Sequence, residues 1–283
     1  MTLPPLMLRH YPIVNLRTPN GVLHENIAAL ADTGFLEKAV EAGIRAILLD
    51  NRHSSLGVAR FLARCHPEVK VVPLIPYAQG LVNAAGRQTL TSITAAVALS
   101  IHKMGWRRVA RTLLDGFRGR YTKAAVRLAL LQHLGLFPSP ISSVCFLHNM
   151  VTDLLLGWKA FGTLQTIAQV MEESGYAPGF ATLNIGRIPQ LAYAVGEAAW
   201  FMCPVNSRIL KMSPDDEAVL EKLGSTRYRL AAILELMGEQ LNPEVEIAEI
   251  LKFRAIKTVA LETNQEEHLR MAVCTISNHH AGR

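Results

Sequence analysis

The chain has 283 residues, of which 50% are hydrophobic and 18% are charged. This composition excludes a disordered chain and a small domain that depends on disulfides, and it is typical of a globular protein with a substantial core. The formal net charge is +6, and eight basic residues against Asp115 give the region 103–127 a charge of +7. The rest of the chain is therefore nearly neutral, at −1.

The four cysteines lie far apart, with no CxxC pair and no metal-ligand spacing. This pattern predicts reduced, mostly buried thiols. The first residues do not resemble a secretory signal. The longest stretch without Asp, Glu, Lys or Arg, 128–152, is interrupted by Pro138 and Pro140, which would break a spanning helix. We therefore expect a cytoplasmic protein without a transmembrane helix.

Short apolar runs recur along the chain, mostly separated by stretches with helical character. Their continuous hydrophobicity predicts parallel strands that are covered on both faces. The pattern favours a (β/α)8 TIM-barrel-like fold in a single domain, 1–283. A closed barrel needs eight strands and only seven are visible, so the eighth is weak or the sheet is incomplete. The runs are 12–18, 46–51, 69–76, 142–149, 179–185, 200–206 and 256–263.

Helices are predicted from their ends at 25–42, 54–66 and 215–240. The last of these begins with "SPDDEAVLEKL", a capped and acidic first turn. The section 77–137 contains no convincing strand, and we interpret it as a basic helical insertion after the third strand. Within it, apolar residues recur at three- and four-residue spacing opposite the basic residues of 103–127, which predicts an amphipathic helix.

Polar residues follow almost every predicted strand. In a (β/α)8 barrel the carboxyl ends of the strands converge on one rim, so these side chains are expected to form one site. The alternative is that each of them caps the next helix or closes a turn. The residues are Arg17, Thr18, Asp50, Asn51, Arg52, His148, Asn149, Asp153, Asn184, Arg187, Asn206, Arg208, Glu262 and Asn264.

Four segments together resemble the aldo/keto reductase family. "AGIRAILLDNRHSSLGVARFL" is similar to the strand that ends in a catalytic Asp, and "SSVCFLHNMVTDLL" to the fourth strand with its histidine. "GFATLNIGRIPQLAYAV" resembles the fifth strand, where an Asn holds the nicotinamide carboxamide. "IKTVALETNQEEHLRMAV" resembles the last strand and the helix start that binds the cofactor phosphate. The resemblance implies a (β/α)8 barrel, an NADP cofactor and reduction of a small carbonyl compound.

Carried over by position, the resemblance makes Asp50 and His148 two members of the catalytic tetrad. The family's tyrosine falls near Ser54 or Ser55, and the third strand ends in "PLIPY" without the family's lysine. Tyr77 is the nearby phenol that could replace the proton donor. The cofactor-binding candidates are Asn184, Asn206, Asn264 and Arg270. The substrate-binding candidates, which suit a small anionic molecule, are Arg17, Arg52, Asn149, Arg187 and Arg208.

Other chemistries find less support in the sequence. His148 has an alternative interpretation as a hydrogen-bonded structural residue, beside its usefulness as a proton carrier. Metal ligation by His148, Asp50, Asp153 and Glu262 is conceivable, but no spacing requires it, and we predict no metal site. The sequence contains no GxGxxG after a strand, no GxxxxGK[ST] and no GxSxG. Rossmann-type, P-loop and serine hydrolase chemistry are therefore not expected.

Two functions remain open at this point. The first is an NADP-dependent oxidoreductase of the aldo/keto reductase type. The second is a catalytically degenerate or differently specialised barrel, which binds an anionic ligand, a partner protein or a membrane surface through the rim arginines and the basic helix 103–127. Nucleic acid is the less favoured partner. The basic face could also simply be solvated, as in many soluble proteins.

Overall fold

The structure is a computed structural model. It describes residues 3–9, 25–51, 53–75, 126–127, 129–130, 133–138, 142–205, 228–236 and 242–281. For 25–32, 53–54 and 280–281 it describes the backbone alone.

Eight parallel strands close into a barrel, and each strand pairs with its neighbours in chain order. Strand β8 also pairs with β1, with Leu261 opposite Leu8, which closes the ring. The predicted (β/α)8 barrel is thus confirmed, and it is complete. The strands are β1 (Leu6–Arg9), β2 (Ala46–Asp50), β3 (Lys70–Ile75), β4 (Val144–Leu147), β5 (Ala177–Ala181), β6 (Trp200–Pro204), β7 (Arg229–Glu235) and β8 (Ile256–Glu262).

Helices cover the outside of the barrel. Two of them begin with a side-chain cap, α3 at His148 and α6 at Asn242, whose Oδ1 accepts a hydrogen bond of 2.9 Å from the Glu244 N–H. Within the described part of the chain, no helix has the length and hydrophobicity needed to cross a membrane. The helices with described bounds are α1 (Glu25–Glu41), α2 (His53–Cys65), α3 (Asn149–Gly157), α4 (Phe161–Glu173), α5 (Ile188–Val195), α6 (Pro243–Leu251) and α7 (Glu266–Ala281). A short 3-10 helix, Ile185–Arg187, precedes α5.

The strand that is missing from the sequence prediction is β7, which lies where the sequence predicts a helix. Residues 229–235 form β7, so the prediction of a helix that continues to residue 240 is wrong. Leu, Ala and Glu in "RLAAILE" are good helix formers, but this segment is buried on both faces inside the barrel wall, and burial overrides local propensity. The first strand, β1, precedes the predicted run 12–18, which lies outside the described residues.

Alternation along the strands separates two apolar layers. One face of each strand packs against the helices, and the other fills the barrel with residues such as Met7, Leu48, Phe146 and Ile233. The ring of Phe146 has space because β5 carries Gly179. A Cβ at that position would lie 2.6 Å from Phe146 Cδ1.

The end of the section 77–137 belongs to the helix layer. Leu130, Leu134 and Phe137 are buried in the core between the strands and the helices. Arg127, the last basic residue of 103–127, is buried and forms an ion pair with Glu173 at the end of α4. At this position the charge therefore does not lie on a solvated face. The remainder of the predicted insertion and of the basic helix lies outside the described residues, and the single-domain organisation stays a prediction.

The four cysteines are all reduced, as expected, but only two of them are buried. Cys145 and Cys203 lie in strands β4 and β6, whereas Cys65 and Cys274 are exposed. Burial raises the pKa of the Cys145 thiol, which makes it an inert core residue.

Candidate functional site

Inward-facing polar side chains lie at the carboxyl ends of the barrel strands, and we call them the inner layer. Because side chains alternate along a strand, the residue two positions after an inward-facing apolar residue also faces inward. Met7, Leu48, Phe146, Ile233 and Ala260 are inward-facing core residues near the carboxyl ends of their strands. The residues two positions further on are Arg9, Asp50, His148, Glu235 and Glu262.

An ion-pair cluster links three strands where the barrel closes. The Arg9 guanidinium lies 3.2 Å from Glu262 and 3.9 Å from Glu235. The side chains of Arg9 and Glu262 are only 13% and 15% exposed. Glu235 is directly opposite Glu262 in the pairing of β7 with β8. This cluster places one positive and two negative charges in the mouth of the barrel.

Sequence reasoning missed Arg9 and Glu235. Both are charged residues that end short apolar runs, "LMLR" and "RLAAILE", so the pattern of a polar strand end was present in each case. The sequence does not single them out because it predicts the first strand at 12–18 and a helix over 215–240.

Asp50 is buried at the end of β2 and is held by a serine. Ser55 Oγ, in the first turn of α2, donates a hydrogen bond of 2.6 Å to Asp50 Oδ1. Ser55 is itself fully buried. This is one of the two positions at which the resemblance places the family's tyrosine. A hydroxyl that orients the carboxylate therefore stands where a phenol would be expected.

His148 lies at the junction of β4 and α3. Its backbone N–H donates to the carbonyl of Ile75, which continues the pairing of β3 with β4, and its Nδ1 accepts a hydrogen bond of 3.3 Å from the Met150 N–H. An accepting Nδ1 means that the neutral ring carries its proton on Nε2. His148 thus caps α3, and the same contact fixes its tautomer.

Asp153 fixes the loop that follows β5. Its Oδ1 accepts a hydrogen bond of 2.5 Å from Thr182 Oγ1, and its Oδ2 accepts one of 3.0 Å from the Leu183 N–H. Thr182 Oγ1 in turn accepts from the Asn184 N–H at 3.1 Å. This network engages both carboxylate oxygens and leaves the Asn184 side chain exposed. In the described segments, no group of three His, Cys, Asp or Glu residues could hold a metal ion.

The remaining predicted site residues lie further from the inner layer. Asn149 is the half-buried first residue of α3, and Asn264 is exposed just before α7. Arg187 is exposed and donates to Gln190 Oε1 at 3.3 Å. Arg270 donates to Glu266 Oε1 at 2.6 Å on the surface of α7. The predicted residues outside the described part of the chain are Arg17, Arg52, Tyr77, Asn206 and Arg208.

Asn51 follows Asp50 but contacts a different part of the molecule. Its Nδ2 lies 2.8 Å from Nδ1 of His133, and the amide donates to the neutral ring. His133 precedes β4 by about ten residues in the sequence, so this bond ties the end of β2 to the segment before β4. Burial lowers the pKa of His133 from its ordinary value of 6.5.

We expect this burial to make folding sensitive to mild acid. Because the pKa of His133 is lower in the folded state, the unfolded chain binds more protons as the pH falls below 6.5, and the free energy of unfolding decreases. Urea denaturation between pH 7.5 and pH 5 measures this loss. His133→Gln, which keeps an acceptor for Asn51, should lose less stability over the same interval. Equal losses in the two proteins would contradict the assignment to His133.

Comparison with known proteins supports the fold. No protein-family model and no curated protein sequence matches the chain. Among solved structures, one assigned as an aldo-keto reductase from Pseudomonas aeruginosa is 13% identical, with a TM-score of 0.60 over 96% of this chain and 90% of that one. An aldo-keto reductase from Klebsiella pneumoniae in complex with NADPH is 11% identical, with a TM-score of 0.52 over 97% and 86%. The chain therefore shares the (β/α)8 barrel fold of these structures.

Proposed function

We propose that the protein is an oxidoreductase of the aldo/keto reductase type, which binds NADP at the carboxyl end of the barrel and reduces a small carbonyl compound. The observation that carries the proposal is the pair Asp50 and His148. Both are buried in the inner layer at the ends of β2 and β4, the two strands to which the resemblance assigns catalytic residues. The solved Klebsiella structure holds NADPH on a barrel of the same fold.

The residues at the end of β5 fit the nicotinamide end of such a cofactor. Asn184 is exposed, and the network of Asp153 and Thr182 fixes its backbone. Its amide can both donate to and accept from a carboxamide. The residues near α7 fit a phosphate less well, since Glu266 and Glu267 lie in the first turn and Arg270 is bound to Glu266. We therefore expect little discrimination between NADPH and NADH.

In this proposal His148 orients the substrate. The cofactor, when bound, supplies the hydride. The Nε2–H of His148 donates to the carbonyl oxygen and stabilises the negative charge that develops there. Asp50, held by Ser55, lies in the same layer, and the burial of Asp50 and His148 limits the access of water to these two side chains. Tyr77 would supply the proton, and the arginines proposed above together with Asn149 would hold an anionic group of the substrate.

A fluorescence titration with NADPH, and in parallel with NADH, tests cofactor binding. We expect saturable binding, and Asn184→Ala should weaken it about tenfold, the cost of roughly one hydrogen bond. Asn278→Ala removes another exposed asparagine, on α7, and should leave the affinity unchanged. If neither dinucleotide showed saturable binding, the proposed reductase function would be contradicted.

A second candidate is a barrel that binds without turnover. Two observations favour it: Ser55 stands in place of the phenol, and the cluster of Arg9, Glu235 and Glu262 occupies part of the mouth. In this case the arginines proposed for substrate binding and the basic helix 103–127 would bind an anionic ligand, a partner protein or a membrane surface. Binding of NADPH without reduction of any compound in a panel of aldehydes and ketones would favour this candidate.

A further inference from the structure

An apolar patch is exposed on α3. Met150, Leu154 and Trp158 are 57%, 49% and 71% exposed, and their four-residue spacing places them on one face of the helix. Leu183, which is 63% exposed, lies alongside because its N–H donates to Asp153 Oδ2 on the same helix. We call these four residues the α3 patch. Large apolar side chains that are exposed together usually mark an interaction surface.

Basic residues accompany the α3 patch. Lys159 is exposed directly after Trp158. Arg187 is exposed four residues after Leu183 and contacts the neutral side chain of Gln190 rather than a carboxylate in the described part of the chain. One acidic residue lies on α3, Asp153, whose two oxygens accept hydrogen bonds from Thr182 and Leu183, and the two basic residues outnumber it. The surroundings of the patch therefore favour a negatively charged partner.

We propose that the α3 patch docks on an anionic lipid surface. Its apolar side chains would enter the boundary between headgroups and acyl chains, and Lys159 and Arg187 would contact the negative headgroups. Exposed Trp, Leu and Met beside Lys and Arg are the combination that such surfaces bind, because apolar burial and electrostatic attraction add. A second copy of this chain would also cover the apolar side chains, but it would bring the same positive charge against itself. The proposal does not depend on cofactor binding.

Vesicle co-sedimentation tests the proposal with the full chain. We expect more binding to vesicles of phosphatidylcholine with phosphatidylserine than to phosphatidylcholine alone, and less binding as salt is raised. Leu154→Ser combined with Trp158→Ser should weaken binding to the anionic vesicles by about tenfold or more, because two apolar side chains lose their burial. Tyr193→Ser is the matched control, since Tyr193 is a 90% exposed aromatic residue on another helix, and it should bind as the wild type does.

Each other outcome overturns the proposal. Absence of binding at low salt would rule out a lipid surface as the partner. Equal binding by the wild type and by the variant with Leu154→Ser and Trp158→Ser would show that the basic residues bind without the α3 patch. Replacing Lys159 and Arg187 by Gln should reduce binding as well, and an unchanged result would overturn the proposal, because the partner would then not be an anionic surface. Sedimentation velocity completes the test: a dimer of the wild type that Leu154→Ser and Trp158→Ser dissolve would identify a second copy as the occupant. Circular dichroism checks that all variants retain their fold.

Discussion

Replacing His148 by alanine is expected to lower carbonyl turnover by roughly 10²–10⁴-fold while changing the affinity for NADPH little. In the proposed function, Nε2–H would stabilise the charge that develops on the substrate oxygen, whereas other residues would hold the cofactor. The measurement is kcat with the best substrate of a carbonyl panel, together with the fluorescence titration. This prediction rests on the proposed reductase function.

A second substitution at the same position separates chemistry from structure. His148 also caps α3 through Nδ1, so His148→Ala should lose about 1 kcal/mol of stability. His148→Asn supplies a good capping side chain but no ring nitrogen in place of Nε2. We expect this variant to keep most of the stability and to lose turnover as the alanine variant does. Full turnover in His148→Asn would show that His148 acts only as a cap.

The strands that could be predicted from the sequence are those with continuous apolar runs. Strands such as β2 and β3 are largely continuous apolar runs, and such a run is typical of a parallel strand that is covered on both faces. Strand β7 could not be recognised by the same reasoning, because "RLAAILE" contains strong helix formers. Its conformation is set by pairing with β6 and β8, which are neighbours in the sheet but distant along the chain.

The positions of candidate site residues could be predicted only where the end of their strand could be predicted. Asp50 and His148 lie at the ends of β2 and β4, as the sequence predicts, and alternation directs both side chains inward, whereas their roles stay predictions. Contacts between distant segments were not predictable. Asn51 meets His133 across 82 positions, and Arg127 meets Glu173 across 46. By contrast, the pair of Arg270 and Glu266 is four residues apart on one helix, a spacing that can be read from the sequence.

Removal of Arg9 should have the largest effect on stability. Arg9→Met would leave the carboxylates of Glu235 and Glu262 next to each other in a poorly hydrated barrel mouth, without the guanidinium that lies 3.2 Å from Glu262. Because the three side chains are only partly buried, we expect a cost of about 1–3 kcal/mol, between that of an exposed pair and that of a fully buried one. The measurement is the free energy of unfolding from urea denaturation at neutral pH.

Two further variants show whether the effect comes from this charge. In Arg9→Met combined with Glu262→Gln, one of the two facing carboxylates is gone, and we expect a substantial part of the stability to return. With the single variant Glu262→Gln and the wild type, these proteins complete a cycle that gives the interaction energy of the pair. Lys252→Met is the matched control, since it breaks the exposed pair with Glu249 and should change stability by less than about 0.5 kcal/mol. If Arg9→Met were as mild as Lys252→Met, the guanidinium would not hold β1, β7 and β8 together. If the double variant were no more stable than Arg9→Met, the loss would come from the packing of the arginine side chain instead of its charge.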